Sequence, residues 1–195
     1  MLLVIDIGNT NTSLGVFEKD KLINKFSLSS DTKKTQDEYG ISLLTVLNHN
    51  NLTSQIKGAM ISSVVPQLCE IYKGAIEKYL NIIPLSLSYK SKMPIVLNLK
   101  NNKEIGADRI ANASAAAIKY KLPAIVIDFG TATTFDIVDK NFNFVGGIIA
   151  PGLKIQAQSL SKFTSKLPKL KIQTLKKTNF KFSLIEFLKS IPYLN

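Results

Sequence analysis

The chain has 195 residues, of which 45% are hydrophobic, carries a formal charge of +11 and contains one cysteine. That is enough apolar material for one large or two small cores, and a lone Cys69 excludes an internal disulfide or a cysteine-based metal cluster and suits a reducing cytoplasm. No segment approaches the roughly 18 continuous apolar residues of a membrane span, and the excess charge is a lysine-rich tail (ten lysines against Glu186 between positions 140 and 195) without the aromatic interleaving of a base-stacking surface.

Leu2–Ile7 reads as a central strand, followed by strands over Ser13–Glu18 and Leu22–Leu28 with a hairpin turn at Lys19-Asp20-Lys21. Tyr39, Leu43, Val46 and Leu47 recur at helical spacing, which places a helix over residues 35–47. Lys57–Ser62 is expected as a strand. Pro66 then sits in the first turn of a helix to about Leu80, where its missing N–H costs nothing. A strand over Ile82–Leu87 and a polar loop or lid over residues 88–103 precede an alanine-rich helix from Ile105 to Tyr120, a composition suited to close packing.

From Ala124 the pattern restarts. Strands are expected at Ala124–Asp128, Thr133–Val138 and Phe144–Ile149, with a helix from Pro151-Gly152 to about Leu160. The restart is visible in the letters: LVIDIGNTNTSLGV at 3–16 and IVIDFGTATTFDIV at 125–138 share Val4/Val126, Ile5/Ile127, Asp6/Asp128, Gly8/Gly130, Thr12/Thr134 and Val16/Val138. A duplicated unit of this kind implies two like domains, over residues 1–121 and 122–195, facing each other across a cleft. Strands mixed with helices imply an α/β class with mixed sheets and helices on their faces. The second domain is expected to be incomplete, because its text loses the strand-helix pattern beyond Leu167; a natural truncation, a fragment boundary or a frameshift from about Thr174 would each explain this.

Each template ends a strand in Asp-x-Gly and follows it with a hydroxyl-rich turn. Glycine lets backbone N–H groups approach an anion, and a strand-end carboxylate such as Asp6 can hold Mg²⁺ directly or through water. One copy alone could be an ordinary Asx turn; two copies facing each other suit a phosphate chain gripped from both sides. Gly106-Ala107-Asp108-Arg109 opens the alanine-rich helix, where an Asp could accept a proton and an Arg could grip an acidic group. A satisfied first helical turn is the plainer alternative. Arg109 is the single arginine among 25 basic residues, and its planar fork cannot be copied by lysine. Cys69 reads as a small buried hydrophobe, His49 as an exposed loop residue, and Asp136 and Asp139 as ordinary strand-end residues.

Taken together, DIGNTNTSLGVF at 6–17, ISSVVP at 61–66, GADRIANASAA at 106–116, VIDFGTATTFDIVD at 126–139 and GGIIAPGLKI at 146–155 resemble type III pantothenate kinase, of the acetate and sugar kinase/Hsp70/actin superfamily. The likeness covers about residues 1–172. It implies duplicated ribonuclease H-like, actin-like ATPase domains and ATP-dependent phosphorylation of pantothenate towards coenzyme A. By the resemblance Asp6, Ile7, Gly8, Asn9, Thr10, Asn11, Thr12 and Ser13 would bind the phosphates of ATP, with Asp6 organising Mg²⁺. Thr131 would touch the nucleotide and Asp128 would hold K⁺ or NH₄⁺. Gly106, Ala107, Asp108 and Arg109 would contact pantothenate, Asp108 acting as the base in a homodimer. Two positions depart from the family pattern: Leu99 stands where a pocket-lining tyrosine is common, and Asn102 where a proline is expected. A truncated, inactive homologue that binds nucleotide or acts as an accessory protein is the rival reading.

Overall fold

The computed structural model describes residues 1–163; the expectations placed on residues 164–195 lie outside the described residues. The chain folds as β1 (Leu2–Ile7), β2 (Asn11–Glu18), β3 (Lys21–Ser29), α1 (Gln36–His49), β4 (Gly58–Ser63), α2 (Pro66–Leu80), β5 (Leu85–Ser86), β6 (Val96–Leu97), α3 (Ala107–Lys119), β7 (Ala124–Phe129), β8 (Ala132–Val138), β9 (Asn143–Pro151) and α4 (Leu153–Phe163). Thr35 starts α1 through a capping box with Glu38, two orphan helix donors satisfied at once. Pro66 occupies the first turn of α2, and Asn81 closes that helix in the left-handed conformation.

The strands form two mixed sheets, ordered β3-β2-β1-β4-β5 and β6-β9-β8-β7. Helix α3 lies between them. Its Ile110, Ala111, Ala113, Ala115 and Ala117 share one core with Val4, Phe17 and Met60 of the first sheet and Val138 and Phe144 of the second. Alanine at most of these positions removes side-chain bulk, so both sheets approach the helix backbone closely. On the far side of the first sheet, Leu3, Ile5, Ile7, Leu14 and Val16 are buried beneath Tyr39, Leu43, Leu68, Tyr72 and Ile76 of α1 and α2.

The duplication holds at the level of strand register, with one correction to the ungapped sequence match. Asp6 pairs with Ser13, whereas Asp128 pairs with Thr134. The second turn is therefore one residue shorter, and the structural counterparts of Thr12 and Val16 are Thr133 and Ile137, not Thr134 and Val138. The third strands regain step because the β8–β9 connection is one residue longer: Val138 pairs with Phe144, whereas its counterpart Phe17 pairs with Leu22. A register shift between Val16 and Phe17 in the β2–β3 pairing also recurs between Ile137 and Val138 in the β8–β9 pairing.

Two further expectations change. The strand expected over Ile82–Leu87 is confined to Leu85–Ser86, because only Met60 and Ile61 of β4 have register partners there. The loop expected over 88–103 contains β6, which pairs in parallel with Asn143 and Phe144 of β9, so this excursion from the first half adds an edge strand to the second sheet. Its return is stapled by Asn102, whose amide donates to the Leu97 carbonyl at 3.1 Å and accepts from the Leu99 N–H at 3.2 Å. An asparagine side chain here holds the bend at the position where a proline was expected.

Candidate active site

The two Asp-x-Gly turns meet. Thr10 Oγ1 and Thr131 Oγ1 lie 3.2 Å apart, a hydrogen bond between tips 121 residues distant in sequence. Each turn is tied to its own repeat. The Ser30 N–H donates to the Thr10 carbonyl at 3.0 Å, and the Gly152 N–H donates to the Thr131 carbonyl at 2.9 Å. Position 152 has to be glycine, since a Cβ there would overlap the carbonyl oxygens of Gly130 and Thr131.

Behind the tips three carboxylates share one neighbourhood. Alternation along a strand sends Asp6 and Asp128 to the inner faces, towards α3, while Leu3, Ile5 and Ile7 point outward. Asp108 and Asn112 lie one turn apart on α3, and the Asn112 amide donates to Asp128 Oδ2 at 3.0 Å. Burial, with added repulsion from Asp108 and then Asp128, pushes the Asp6 carboxyl up to about 7, against the opposing pull of the nearby Ser62 hydroxyl and Lys25. Burial also raises the Asp108 carboxyl, helped by Asp128 and opposed by the Arg109 N–H, which donates to Asp108 Oδ1 at 2.7 Å. Burial and mutual repulsion thus both disfavour the charged forms of Asp6 and Asp108.

Not every expected residue points into this space. The Ile7 and Thr12 side chains are fully buried on the outer side of β1 and β2, and Thr12 Oγ1 bonds Ser30 Oγ at 2.9 Å. Only their backbone is available to a phosphate. Asn9, Thr10 and Asn11 are exposed at the turn, and Gly8 and Ser13 are half-buried. Gly106 caps α3 without a side chain, and a Cβ there would lie 2.5 Å from Asp108 Oδ1. Gly106 and Ala107 also edge a cavity of about 350 Å³ lined further by Ser63, Val64, Tyr89 and Lys103. Leu99 is partly buried against the core around α3.

Arg109 carries the main revision. Its Nε and Nη2 donate to Asp136 Oδ1 at 2.8 and 2.5 Å. Asp136, expected as an ordinary strand-end residue, is fully buried, at the position where the first repeat has Gly15. Neither Asp136 nor Asn112 stands out in the sequence. The available signal was the helical offset of Asn112 from Asp108, and the mismatch of an acid where the first repeat carries glycine.

The type III pantothenate kinase family profile matches residues 2–190. The chain belongs to this family. It is 47% identical over 174 residues to a type III pantothenate kinase of Finegoldia magna, covering 89% of this chain and 66% of the relative. Identity to the Listeria monocytogenes type III pantothenate kinase is 44% over 173 residues, 88% of this chain and 67% of that protein. The chain thus spans about two thirds of the length of these relatives, and the likeness extends past Ile172, the limit set by the motifs. Among solved structures, a conserved Baf family protein of Campylobacter jejuni superposes with a TM-score of 0.51 at 21% identity, covering 96% of this chain and 71% of its own. The Ppx/GppA phosphatase of Aquifex aeolicus superposes with a TM-score of 0.50 at 12% identity, over 87% and 57%. At these identities the superpositions show the shared fold, the duplicated actin-like architecture. Among the described residues no helix is long and apolar enough to cross a membrane.

Proposed function

We propose that the chain transfers the terminal phosphoryl group of ATP to the hydroxyl of pantothenate, the first step towards coenzyme A. The observation that carries this reading is the convergence of both Asp-x-Gly hairpins and the head of α3, with the Thr10–Thr131 contact at the tips and Asp6, Asp108 and Asp128 behind it. Phosphoryl transfer is catalysed mainly by positioning and charge neutralisation, and this arrangement supplies places for both. Backbone N–H groups of residues 6–13 and Thr131 would cradle the nucleotide. Gly106, Ala107 and Arg109 would hold pantothenate, with Leu99 packed against the core around α3. Asp108, made more basic by burial, would take the hydroxyl proton as the oxygen attacks.

The converging carboxylates fit bound cations: Asp6 would hold Mg²⁺ and Asp128, oriented by Asn112, K⁺ or NH₄⁺. Among the described residues no three His, Cys, Asp or Glu side chains are grouped to enclose a metal, so phosphate oxygens and water would complete any such site. When bound, these ions would neutralise charge on the transferring phosphate. The enzyme would work in the cytoplasm as a homodimer, without nucleic acid or membrane.

Asp108→Asn tests the reading. Losing the base should lower the rate of phosphopantothenate formation by roughly 10²- to 10⁴-fold, while stabilisation by ATP persists. Unchanged turnover would refute the assignment. A second reading, a nucleotide-binding accessory protein without turnover, is favoured by Leu99 packing into the core in place of a pocket-lining tyrosine. It requires ATP to raise the unfolding temperature with no phosphorylated product from the unaltered chain.

A further inference from the structure

We propose that Asp136 is a positioning residue that clamps one edge of the Arg109 guanidinium so that its other edge is presented to the acid group of the acceptor substrate. This rests on the reading above, in which residues 106–109 receive that substrate.

The clamp is built from several sides. Nε and Nη2 of Arg109 both donate to Asp136 Oδ1, and the Thr134 hydroxyl lies 3.4 Å from the other carboxylate oxygen. The Phe144 ring supports the guanidinium, with its centroid 5.6 Å from Cζ. Gly147 closes the back: a Cβ there would overlap the Phe135 carbonyl oxygen and sit 2.6 Å from Asp136 Oδ1 and 2.7 Å from Arg109 Nη2. The two side chains are 15% and 1% exposed.

A guanidinium stays charged and carries five N–H donors in a fixed plane. Here Asp136 occupies donors on the Nε and Nη2 side, and Nη1 has no acceptor among the described residues. A mostly buried guanidinium with an unused edge is suited to an oxygen brought by a ligand, and a carboxylate matches it best. Asp136 already neutralises the Arg109 charge at close range. Selection of the acid substrate would then depend on the direction of the hydrogen bonds more than on long-range attraction. Because Arg109 follows Asp108 directly in α3, fixing its plane also fixes the distance between the gripping group and the base.

The test exploits the single arginine. In the ¹⁵N-labelled full chain, the arginine Nε–H region of an NMR spectrum holds one resonance. It should be displaced from the free-arginine position, exchange slowly with water, and move when pantothenate is added. Asp136→Ala should return it to the free position and raise the KM or Kd for pantothenate by about 10- to 100-fold, the loss expected for a charged hydrogen bond, with a much smaller change in the KM for ATP. Asp136→Asn keeps an acceptor oxygen, so it should fall between the two; it also serves if the alanine variant does not fold. A free, rapidly exchanging resonance in the unaltered chain would overturn the clamp. So would a tethered resonance indifferent to pantothenate in a chain that still phosphorylates it, since the pair would then be structural only. If the chain neither shifts this resonance with pantothenate nor forms product, yet is stabilised by ATP, the kinase reading falls together with the presentation of Arg109.

Discussion

Leu3, Ile5 and Ile7 are 0% exposed, while their counterparts one repeat later, Ile125, Ile127 and Phe129, are 66%, 47% and 65% exposed. The two strands share a template and end in like turns, yet among the described residues only the first has its outer face covered, by α1 and α2. In the second sheet, Ile137 and Ile148 extend the same open face. The inner faces differ far less, because α3 serves both sheets at once. The acidic residues lie on those inner faces, so the site draws on the part of each repeat that is built in both copies. A strand's shape is thus encoded locally, whereas what it contributes to stability depends on helices supplied from elsewhere in the chain.

An aspartate placed on each outer face should separate the halves most sharply. Ile5→Asp would bury an unpaired charge and cost on the order of 4 kcal/mol, a large share of a domain-sized stability. Ile127→Asp, on the open face, should cost less than about 1 kcal/mol. Denaturant midpoints of the two variants measure the difference, and equal losses would show that the second face is covered in solution.

The inner faces can be compared through pH. Between pH 4 and 7 the folded chain keeps a proton on Asp6 that the unfolded chain has released, because burial and the neighbouring Asp108 and Asp128 raise this carboxyl to about 7. The folded state binds more protons in that window, so Asp6 makes stability fall as pH rises through it. Asp6→Asn should flatten the slope of unfolding free energy against pH. Asp128→Asn should reduce it only in part, because burial and Asp108 both raise the Asp6 carboxyl more than Asp128 does.

Matched hydroxyls give the smallest contrast. Thr12 Oγ1 bonds Ser30 Oγ at 2.9 Å, whereas its structural counterpart Thr133 is buried with no hydrogen-bond partner among the described residues. Thr12→Val should destabilise by about 1 kcal/mol, and Thr133→Val should be neutral or stabilising. Thermal unfolding of the two variants would show whether the second hydroxyl has found a partner.

Periodicity and turn chemistry were enough to read β1 to β4, α1, α2, α3 and the second hairpin, because those signals span only a few residues. β5 was read too long and β6 was missed for the opposite reason: the β4–β5 and β6–β9 pairings rest on two register pairs each, with no alternation to reveal them. At the site, the two acidic turns and the Asp108-Arg109 step were visible as motifs. The partner of Arg109 was hidden. Asp136 lies 27 residues away on a strand that reads as ordinary, and only the docking of α3 against β8, with Gly147 leaving space behind, brings the two charges together.

The amino-acid sequence by itself determined the duplicated strand-turn template, its acidic strand ends, the alanine-rich helix between the repeats and membership of the family. These properties follow from neighbours a few positions apart, where backbone sterics and side-chain alternation act directly. Tertiary structure decided that the tips touch through Thr10 and Thr131, that Asn112 reaches Asp128, that Asp136 holds Arg109, and which outer face is covered. Those outcomes depend on how two sheets share one helix, a packing geometry that no short window of residues specifies.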